Sequence, residues 1–389
     1  MKSITTLFLF LIVGISVFAQ PFMKQPIEGS QGKDFIIVNY VDWSDTSIQD
    51  AFCGSKTYDG HQGTDYVLRS FEQMDSGVNV LAAADGEVIY IEDGQFDRET
   101  EGDVSKKLGN YIAIKHPNKY FTYYAHLKKN SLKVGVGDQV KQGQVIAQVG
   151  SSGNSTDPHL HFEVWYDSQY VVDPFIGNCG NPDPLFVDAP KYDTSLHVWD
   201  VGMHDSMLDI NALRERIITK NAPYKFAPTT KKPIVFWSHL SGLREGDEIT
   251  LKWFTPKNIL WFEYSITLES DWWYYYYYSF IDNKDLEIGH WNSKLFVNGE
   301  EVVAQDFEVV KNASLIDQTI GKNGFPTNLN MLLQDQRIRS ISVFNLEGKR
   351  VHKSSQNKPN TSINLPQGVY SVEFFDLRGS VHYVKVWVD

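Results

Sequence analysis

Two short motifs carry side chains that could perform metal chemistry. Five of the 11 histidines lie between positions 61 and 161. His61 and Asp65 stand four apart in the segment GHQGTD, and His159 and His161 stand two apart in the segment PHLHF. Residues i and i+2 of a strand point to the same side, so we expect His159 and His161 to face one cleft. Imidazole and carboxylate groups together form a ligand set that suits Zn²⁺.

The two motifs offer more side chains than a catalytic zinc ion needs. Such an ion takes three protein ligands and leaves its fourth position to water, whose pKa falls to about 7. Four candidates for three places leave one histidine to act as an acid or base beside the metal. The spacing favours metal binding over simple packing, but it names no reaction. For His116 we expect packing in the core.

Residues 48–186 resemble the LytM and lysostaphin type of zinc metallopeptidases, the M23 family. The resemblance rests on several blocks that follow one another in the family's order. They are TYDGHQGTDY at 57–66, VLAAADGEVIYIEDG at 80–94, GNYIAIKHPNKYFTYYAHLKK at 109–129, VGDQVKQGQVIAQVGSSGNSTDPHLHFEVW at 136–165 and VDPF at 172–175. Each block alone is a weak match, whereas the ordered set is specific.

The resemblance implies a role for each residue of the motifs. His61 and Asp65 match the first two zinc ligands, and His161 matches the third. His126 and His159 match the pair that orients or deprotonates the water and stabilises the transition state. The implied cofactor is Zn²⁺. The implied reaction is hydrolysis of peptide bonds in peptidoglycan stem peptides or cross-bridges through a zinc-activated water.

Departures from the family pattern leave the substrate open. Asp157 stands where a small residue precedes the Pro-His pair, and segments 71–77 and 96–108 look like lengthened loops. For Glu163, next to the histidine pair, we expect a supporting or surface role instead of ligation. Two alternatives remain beside the peptidoglycan hydrolase. One is a zinc endopeptidase acting on Gly-rich extracellular proteins, and the other is a non-catalytic cell-wall-binding protein.

Composition excludes some classes of protein and favours β structure. Hydrophobic residues make up 42% of the chain and charged residues 22%, which excludes a disordered chain. The net charge of -12 argues against a general nucleic-acid binder, whose surface would be basic. Aromatic residues reach 14%, and they favour strands over helices.

Short alternating runs separated by turn residues indicate antiparallel strands through most of the chain. We therefore predict an all-β protein, with an antiparallel LytM-type catalytic domain, a β-sandwich accessory domain and a small β-sandwich at the end. The expected parts are a signal peptide at 1–19, a lead-in at 20–47 with one strand at 35–41, the catalytic domain at 48–187, a linker at 188–233 with a helical piece at 209–219, the accessory domain at 234–310, a linker at 311–331 and the C-terminal domain at 332–389.

The accessory domain concentrates aromatic side chains. Trp272 and Trp273 precede five consecutive tyrosines at 274–278. We interpret this run as a strand of a β-sandwich, in preference to an aromatic platform that stacks on sugars. Alternation places half of its side chains on each face, so one face could still bind a ligand.

The first residues predict export. Lys2 precedes an apolar run at 7–18, and Ala19 ends a small-residue cleavage site, which is the pattern of a secretory signal peptide. The run is shorter than the roughly 20 residues of a membrane-spanning helix, so we expect no transmembrane segment. In an oxidising compartment, Cys53 and Cys179 favour a disulfide over Cys53 acting as a metal ligand near His61.

The C-terminal residues 341–389 resemble the sorting domain of the Bacteroidetes type IX secretion system. The residues that carry the resemblance are Gly348, Leu365, Gly368, Val369, Tyr370 and Lys385. The resemblance implies the type IX secretion machinery as a partner. The expected route leads through the periplasm to the cell surface or the extracellular medium.

Overall fold

The structure is a computed structural model of the 389-residue chain. It describes residues 21–98, 107–181, 183–214, 222–228, 232–284, 286–311, 329–334, 338–345, 349–355, 365–376 and 381–388. The expected signal peptide, most of the linker at 311–331 and Gly348 lie outside these residues. The chain divides into one unit that ends at Ser195 and a second that begins at Leu196. Strands dominate both units, which confirms the all-β prediction.

The first unit is built on one large antiparallel sheet. Its elements are β1 Ile36–Asn39, β2 Thr64–Val67, α1 Phe71–Ser76, β3 Asn79–Leu81, β4 Gly86–Glu92, β5 Asn110–Lys115, β6 Tyr120–Leu127, β7 Gln139–Val140, β8 Val145–Gln148, β9 His159–Tyr166 and β10 Tyr170–Val171. The sheet has the order β1-β2-β9-β6-β5-β4-β7, with β10 added beside β9, and β3 pairs separately with β8.

The two faces of strand β9 carry different side chains, with core residues on one face and candidate site residues on the other. Leu160, Phe162 and Val164 are fully buried and belong to the hydrophobic core of this unit. Burying such a side chain stabilises the fold by about 1.5–3 kcal/mol. Because side chains alternate along a strand, His159 and His161 lie on the opposite face. The core therefore fixes the strand that carries both histidines.

The lead-in is part of this unit's core. Met23, Ile27 and Phe35 are buried in the same hydrophobic cluster as β9. Strand β1, close to the strand predicted at 35–41, pairs with β2.

The predicted disulfide is also confirmed, because Cys53 and Cys179 are bonded, which excludes Cys53 as a metal ligand.

The segment 71–77, expected to be a lengthened loop, is instead the short helix α1. The Ser70 side chain caps it by accepting a hydrogen bond from the backbone of Gln73, and Gly77 ends it with φ 89°. Phe71 and Met74 are one helical turn apart, and both are buried. Their burial explains the helix, which the short apolar pattern alone did not reveal.

Two of the three sheets described in the second unit share one core. Its elements are β11 His197–His204, α2 Ile210–Arg214, β12 Tyr224–Phe226, β13 Ile234–Ser241, β14 Glu248–Phe254, β15 Leu260–Thr267, β16 Tyr275–Ile281, β17 Gly289–Val297, β18 Glu300–Val309, α3 Leu329–Gln334, β19 Ile338–Phe344, β20 Arg350–Ser355, β21 Gly368–Asp376 and β22 Val381–Val388. The two sheets have the orders β11-β13-β16 and β12-β18-β17-β14-β15. Phe236 of the first and Trp253 of the second meet in the core, edge to face.

The expectation of a linker at 188–233 is wrong for part of that segment. Strand β11 pairs with β13, and β12 pairs in parallel with β18. Strand β12 has only three residues, and its partner lies far along the chain, so local sequence gave no signal for it. The predicted helical piece at 209–219 contains α2, while residues 215–219 lie outside the described part.

The C-terminal region differs from the predicted small sandwich. Its described residues form one antiparallel sheet in the order β20-β19-β21-β22. Leu329 and Leu332 of α3 are buried in its core together with Val343 and Phe374. A helix therefore covers apolar side chains where we expected a second sheet.

Across the described parts of both units, no helix has the length and apolar character that a membrane crossing requires.

Candidate metal centre and active site

The register of three neighbouring strands brings the predicted site residues together. Asp65 of β2 lies directly opposite His161 of β9, and His161 lies opposite Ala125 of β6. Directly paired residues of antiparallel strands share a face and have neighbouring side chains. His61 precedes β2, and its ring nitrogen reaches His161 across 100 positions of the sequence. Long-range pairing thus joins the two motifs into one site.

His126 occupies an unusual backbone conformation near the end of β6. Its φ is 56°, in the left-handed region, which costs a residue other than glycine about 1–2 kcal/mol. Its backbone N–H donates to the carbonyl of Leu108 at 2.9 Å. The side chain of His126 is buried, and the centroid of its ring lies 4.5 Å from that of His159. Backbone strain of this kind clusters at functional sites.

Three side-chain atoms converge on one point and could hold a metal ion. Nε2 of His61 lies 3.2 Å from Nδ1 of His161 and 3.3 Å from Oδ1 of Asp65, and the latter two atoms are 2.8 Å apart. Ligand atoms bound at about 2.0–2.1 Å to a tetrahedral Zn²⁺ lie about 3.3 Å from one another. These three residues therefore fit zinc in both donor chemistry and spacing.

Hydrogen bonds at one nitrogen of the His61 ring and of the His161 ring leave the other nitrogen facing the converging atoms. Nδ1 of His61 donates to the backbone carbonyl of Tyr40 at 2.7 Å, which leaves the lone pair on Nε2. Nε2 of His161 donates to Oε1 of Glu163 at 3.0 Å, which directs Nδ1 toward the cluster. The indole N–H of Trp165 donates to Oε2 of Glu163 at 2.6 Å. Glu163 thus holds a candidate ligand through a hydrogen bond.

Asp65 and His161 are coupled electrostatically. Burial alone would raise the pKa of Asp65, but the neighbouring His61 and the hydrogen bond from His161 hold it well below its usual value. Burial alone would lower the pKa of His161, but hydrogen bonds to Asp65 and Glu163 raise it to about 10. A cation that binds between these groups must displace a proton from His161, so metal binding here releases a proton.

His126 and His159 are both held in the neutral form. Nδ1 of His126 donates to the carbonyl of Ser152 at 2.7 Å, and Nδ1 of His159 donates to that of Asp157 at 2.7 Å. Each ring therefore keeps Nε2 as an acceptor. Burial lowers the pKa of both histidines, and the nearby rings of His159 and His161 lower that of His126 further. Both imidazoles are consequently neutral at pH 7 and able to take up a proton.

Tyr58 is exposed beside the candidate site, whereas His116 is buried. The exposed Tyr58 lies against His61, with ring centroids 4.4 Å apart, a contact that no sequence motif predicted. His116 is buried, and its ring nitrogens lie within hydrogen-bonding distance of the carbonyl of Asp85 and the hydroxyl of Thr122. It lies in the core, as predicted.

An antiparallel sheet that gathers two histidines and an aspartate around one point, with two neutral histidines beside them, defines a site of the metallopeptidase class. Residues 59–174 match the family described as Peptidase family M23. This match confirms the resemblance over these residues.

The chain is similar to several known proteins over this region. It is 40% identical over 131 residues to the peptidoglycan DD-endopeptidase ShyC of Vibrio cholerae, covering 34% of this chain and 23% of that protein. It is 37% identical over 95 residues to the murein hydrolase activator NlpD of Escherichia coli, covering 24% and 22%. A crystal structure of a zinc-containing peptidase from Vibrio cholerae is 28% identical, covers 40% of this chain and 39% of its own, and gives a TM-score of 0.28. The match thus spans about a quarter of the curated relatives' length.

Proposed function

We propose that the protein is a secreted zinc metalloendopeptidase that hydrolyses peptide bonds in peptidoglycan stem peptides or cross-bridges. The observation that carries this proposal is the convergence of His61 Nε2, Asp65 Oδ1 and His161 Nδ1 within 3.3 Å of one another. Sequence similarity to ShyC, a peptidoglycan DD-endopeptidase, supports the substrate class.

The three converging residues would hold the ion, and the two neutral histidines would handle protons. A bound Zn²⁺ would polarise the scissile carbonyl and lower the pKa of a water molecule. His126 and His159 keep unprotonated Nε2 atoms, so either can accept the proton of the attacking water. Once protonated, the same ring can donate to the developing oxyanion or the leaving amine.

The remaining parts would deliver the enzyme to its substrate. We infer that residues 1–19 direct the chain to the periplasm and that residues 332–389 engage the type IX secretion machinery. The protein would then act at the cell surface or in the extracellular medium. The domain boundaries given above remain part of this proposal, with β11 and β12 assigned to the accessory domain because of their strand pairing.

Digestion of purified sacculi tests the proposed reaction. The full chain should release peptides with new amino termini, which mass spectrometry identifies. A chelator should abolish release, and added Zn²⁺ should restore it. A parallel digestion of a Gly-rich extracellular protein distinguishes the two substrate classes. Absence of new termini, together with stimulation of a separate murein hydrolase, would contradict the proposal and support an activator such as NlpD.

A further inference from the structure

Residues 39–42 of the lead-in contact two of the three candidate ligands. Nδ2 of Asn39 donates to Oδ2 of Asp65 at 2.8 Å. The carbonyl of Tyr40 accepts from Nδ1 of His61 at 2.7 Å. The backbone N–H of Asp42 donates to the carbonyl of His61 at 2.8 Å. All three contacts come from chain that precedes the family match at 59–174.

A bulge in β1 brings Asn39 to this position. Ile36 pairs with Val67 and Ile37 pairs with Tyr66, so regular antiparallel pairing would place residue 38 opposite Asp65. The register shifts after Ile37, and Asn39 lies opposite Asp65 instead. A bulge re-aims a side chain, and bulges are enriched beside active sites. Here it replaces the apolar Val38 with an amide donor at the buried carboxylate.

We propose that Asn39 is a positioning residue of the metal site. Its amide occupies Oδ2 of Asp65, so that Oδ1 alone is directed at the ion, close to His61 Nε2 and His161 Nδ1. The donor is neutral, so the charge of Asp65 remains available to the cation. Partners of this kind fix the orientation of a ligand, and their loss typically lowers metal affinity 10–100-fold. The inference rests on the proposed zinc site.

The lead-in therefore supplies polar partners to two of the candidate ligands. Its removal would leave Oδ2 of the buried Asp65 without the Asn39 donor, and Nδ1 of His61 without the Tyr40 carbonyl. An unsatisfied buried polar group is costly, and it loses its fixed orientation. The hydroxyl of Thr57 also donates to the Tyr40 carbonyl, which holds this acceptor in place.

The test compares two asparagines that make the same kind of bond. Asn79 also donates through Nδ2 to a carboxylate, that of the lead-in residue Glu28 at 2.7 Å, on the exposed surface. Asn39→Ala, Asn39→Leu and the control Asn79→Ala are made in the full chain. Leu keeps the branched shape of Asn but lacks the donor. Zinc affinity is measured by competition with a chromophoric chelator, and coordination by the visible absorption of the cobalt-substituted protein.

We expect both Asn39 variants to bind zinc 10–100-fold more weakly than wild type and to change the cobalt spectrum. Asn79→Ala should match wild type in both measurements. Wild-type affinity and an unchanged spectrum in both Asn39 variants would overturn the inference and leave the proposed function intact. Equal weakening by Asn79→Ala would also overturn it, because the effect would then be general destabilisation. A wild-type chain that binds no zinc would overturn both proposals.

Discussion

The side chains of the candidate metal centre are buried, whereas the large side chains of the edge strand β15 are exposed. At the centre, Asp65 and His161 are only 5% and 7% exposed, and hydrogen bonds hold each of them. On β15, Trp261 and Tyr264 are 54% and 46% exposed. Burying a charged group is costly unless it has partners, so the buried polar groups of the centre need their hydrogen-bond partners. Exposed aromatic side chains carry no such constraint.

The different widths of the two sheets that share one core in the second unit account for the exposure of β15. This strand is the edge of the five-stranded sheet, while the sheet that shares its core has three strands in the described residues. Phe262 lies opposite Trp253 in the register, yet Trp253 is buried and Phe262 is exposed. The aromatic residues of this region thus predict its strands but indicate no function, whereas the contacts among the side chains of the metal centre indicate a reaction.

The largest expected effect comes from a ligand. Asp65→Asn keeps the shape of the side chain but removes its charge, so we expect loss of bound zinc and a fall in the rate of sacculus hydrolysis of at least about 10³-fold. Elemental analysis and peptide release measure both quantities. Asp59→Asn, a change of the same type at an exposed position, is the control and should behave like wild type. An active, zinc-containing Asp65→Asn protein would contradict the ligand assignment.

His159→Ala should separate chemistry from metal binding. The variant should retain zinc but lose about 10²–10⁴-fold in kcat, because a general base is removed. Burial lowers the pKa of His159, so in wild type this base becomes protonated only below the ordinary histidine range. The wild-type rate should therefore stay constant near pH 7 and down through about 6.5, the ordinary histidine pKa, and fall only at lower pH. Loss of zinc from His159→Ala would instead make His159 a ligand.

Asp173, a second buried carboxylate of the first unit, differs from Asp65 in the direction of its pKa shift. Burial raises the pKa of Asp173 to about 7, whereas histidines hold that of Asp65 low. Between about pH 4 and 7 the folded chain holds a proton at Asp173 that the unfolded chain has lost, so this group's stabilising contribution falls as pH rises. We expect Asp173→Asn to gain stability relative to wild type over this window, by up to about 1.4 kcal/mol per pH unit.

Urea unfolding of the chelator-treated proteins at several pH values measures this difference in the free energy of unfolding. A difference that does not vary with pH would show that Asp173 titrates normally in the folded protein.

The smallest effect should come from the exposed edge strand. Trp261→Ala should change the free energy of unfolding by no more than about 1.5 kcal/mol, because its ring contacts Trp291 edge to face, while Trp253→Ala in the core should cost about 3–5 kcal/mol. Sacculus hydrolysis by Trp261→Ala should equal that of wild type. A marked loss of sacculus binding by the stable Trp261→Ala protein would break the comparison, because β15 would then be a binding surface.

The convergence of the candidate site residues was easier to predict from the sequence than the elements around them. His61, Asp65, His126, His159 and His161 lie in ordered motifs, and strand alternation already placed two of them on one face. The left-handed backbone of His126 and the contact from Asn39 depend on register irregularities within β6 and β1, which leave no local pattern. Strand β12 was missed for a related reason, since a three-residue strand is defined only by its distant partner β18.

Anomalous X-ray diffraction at the zinc absorption edge, from crystals of the zinc-loaded full chain, tests the metal centre most directly. We predict one peak at about 2.0–2.1 Å from His61 Nε2, Asp65 Oδ1 and His161 Nδ1, with His126 and His159 near it but not bound. A peak held by other residues, or no peak at these three atoms, would contradict the assignment of the metal centre.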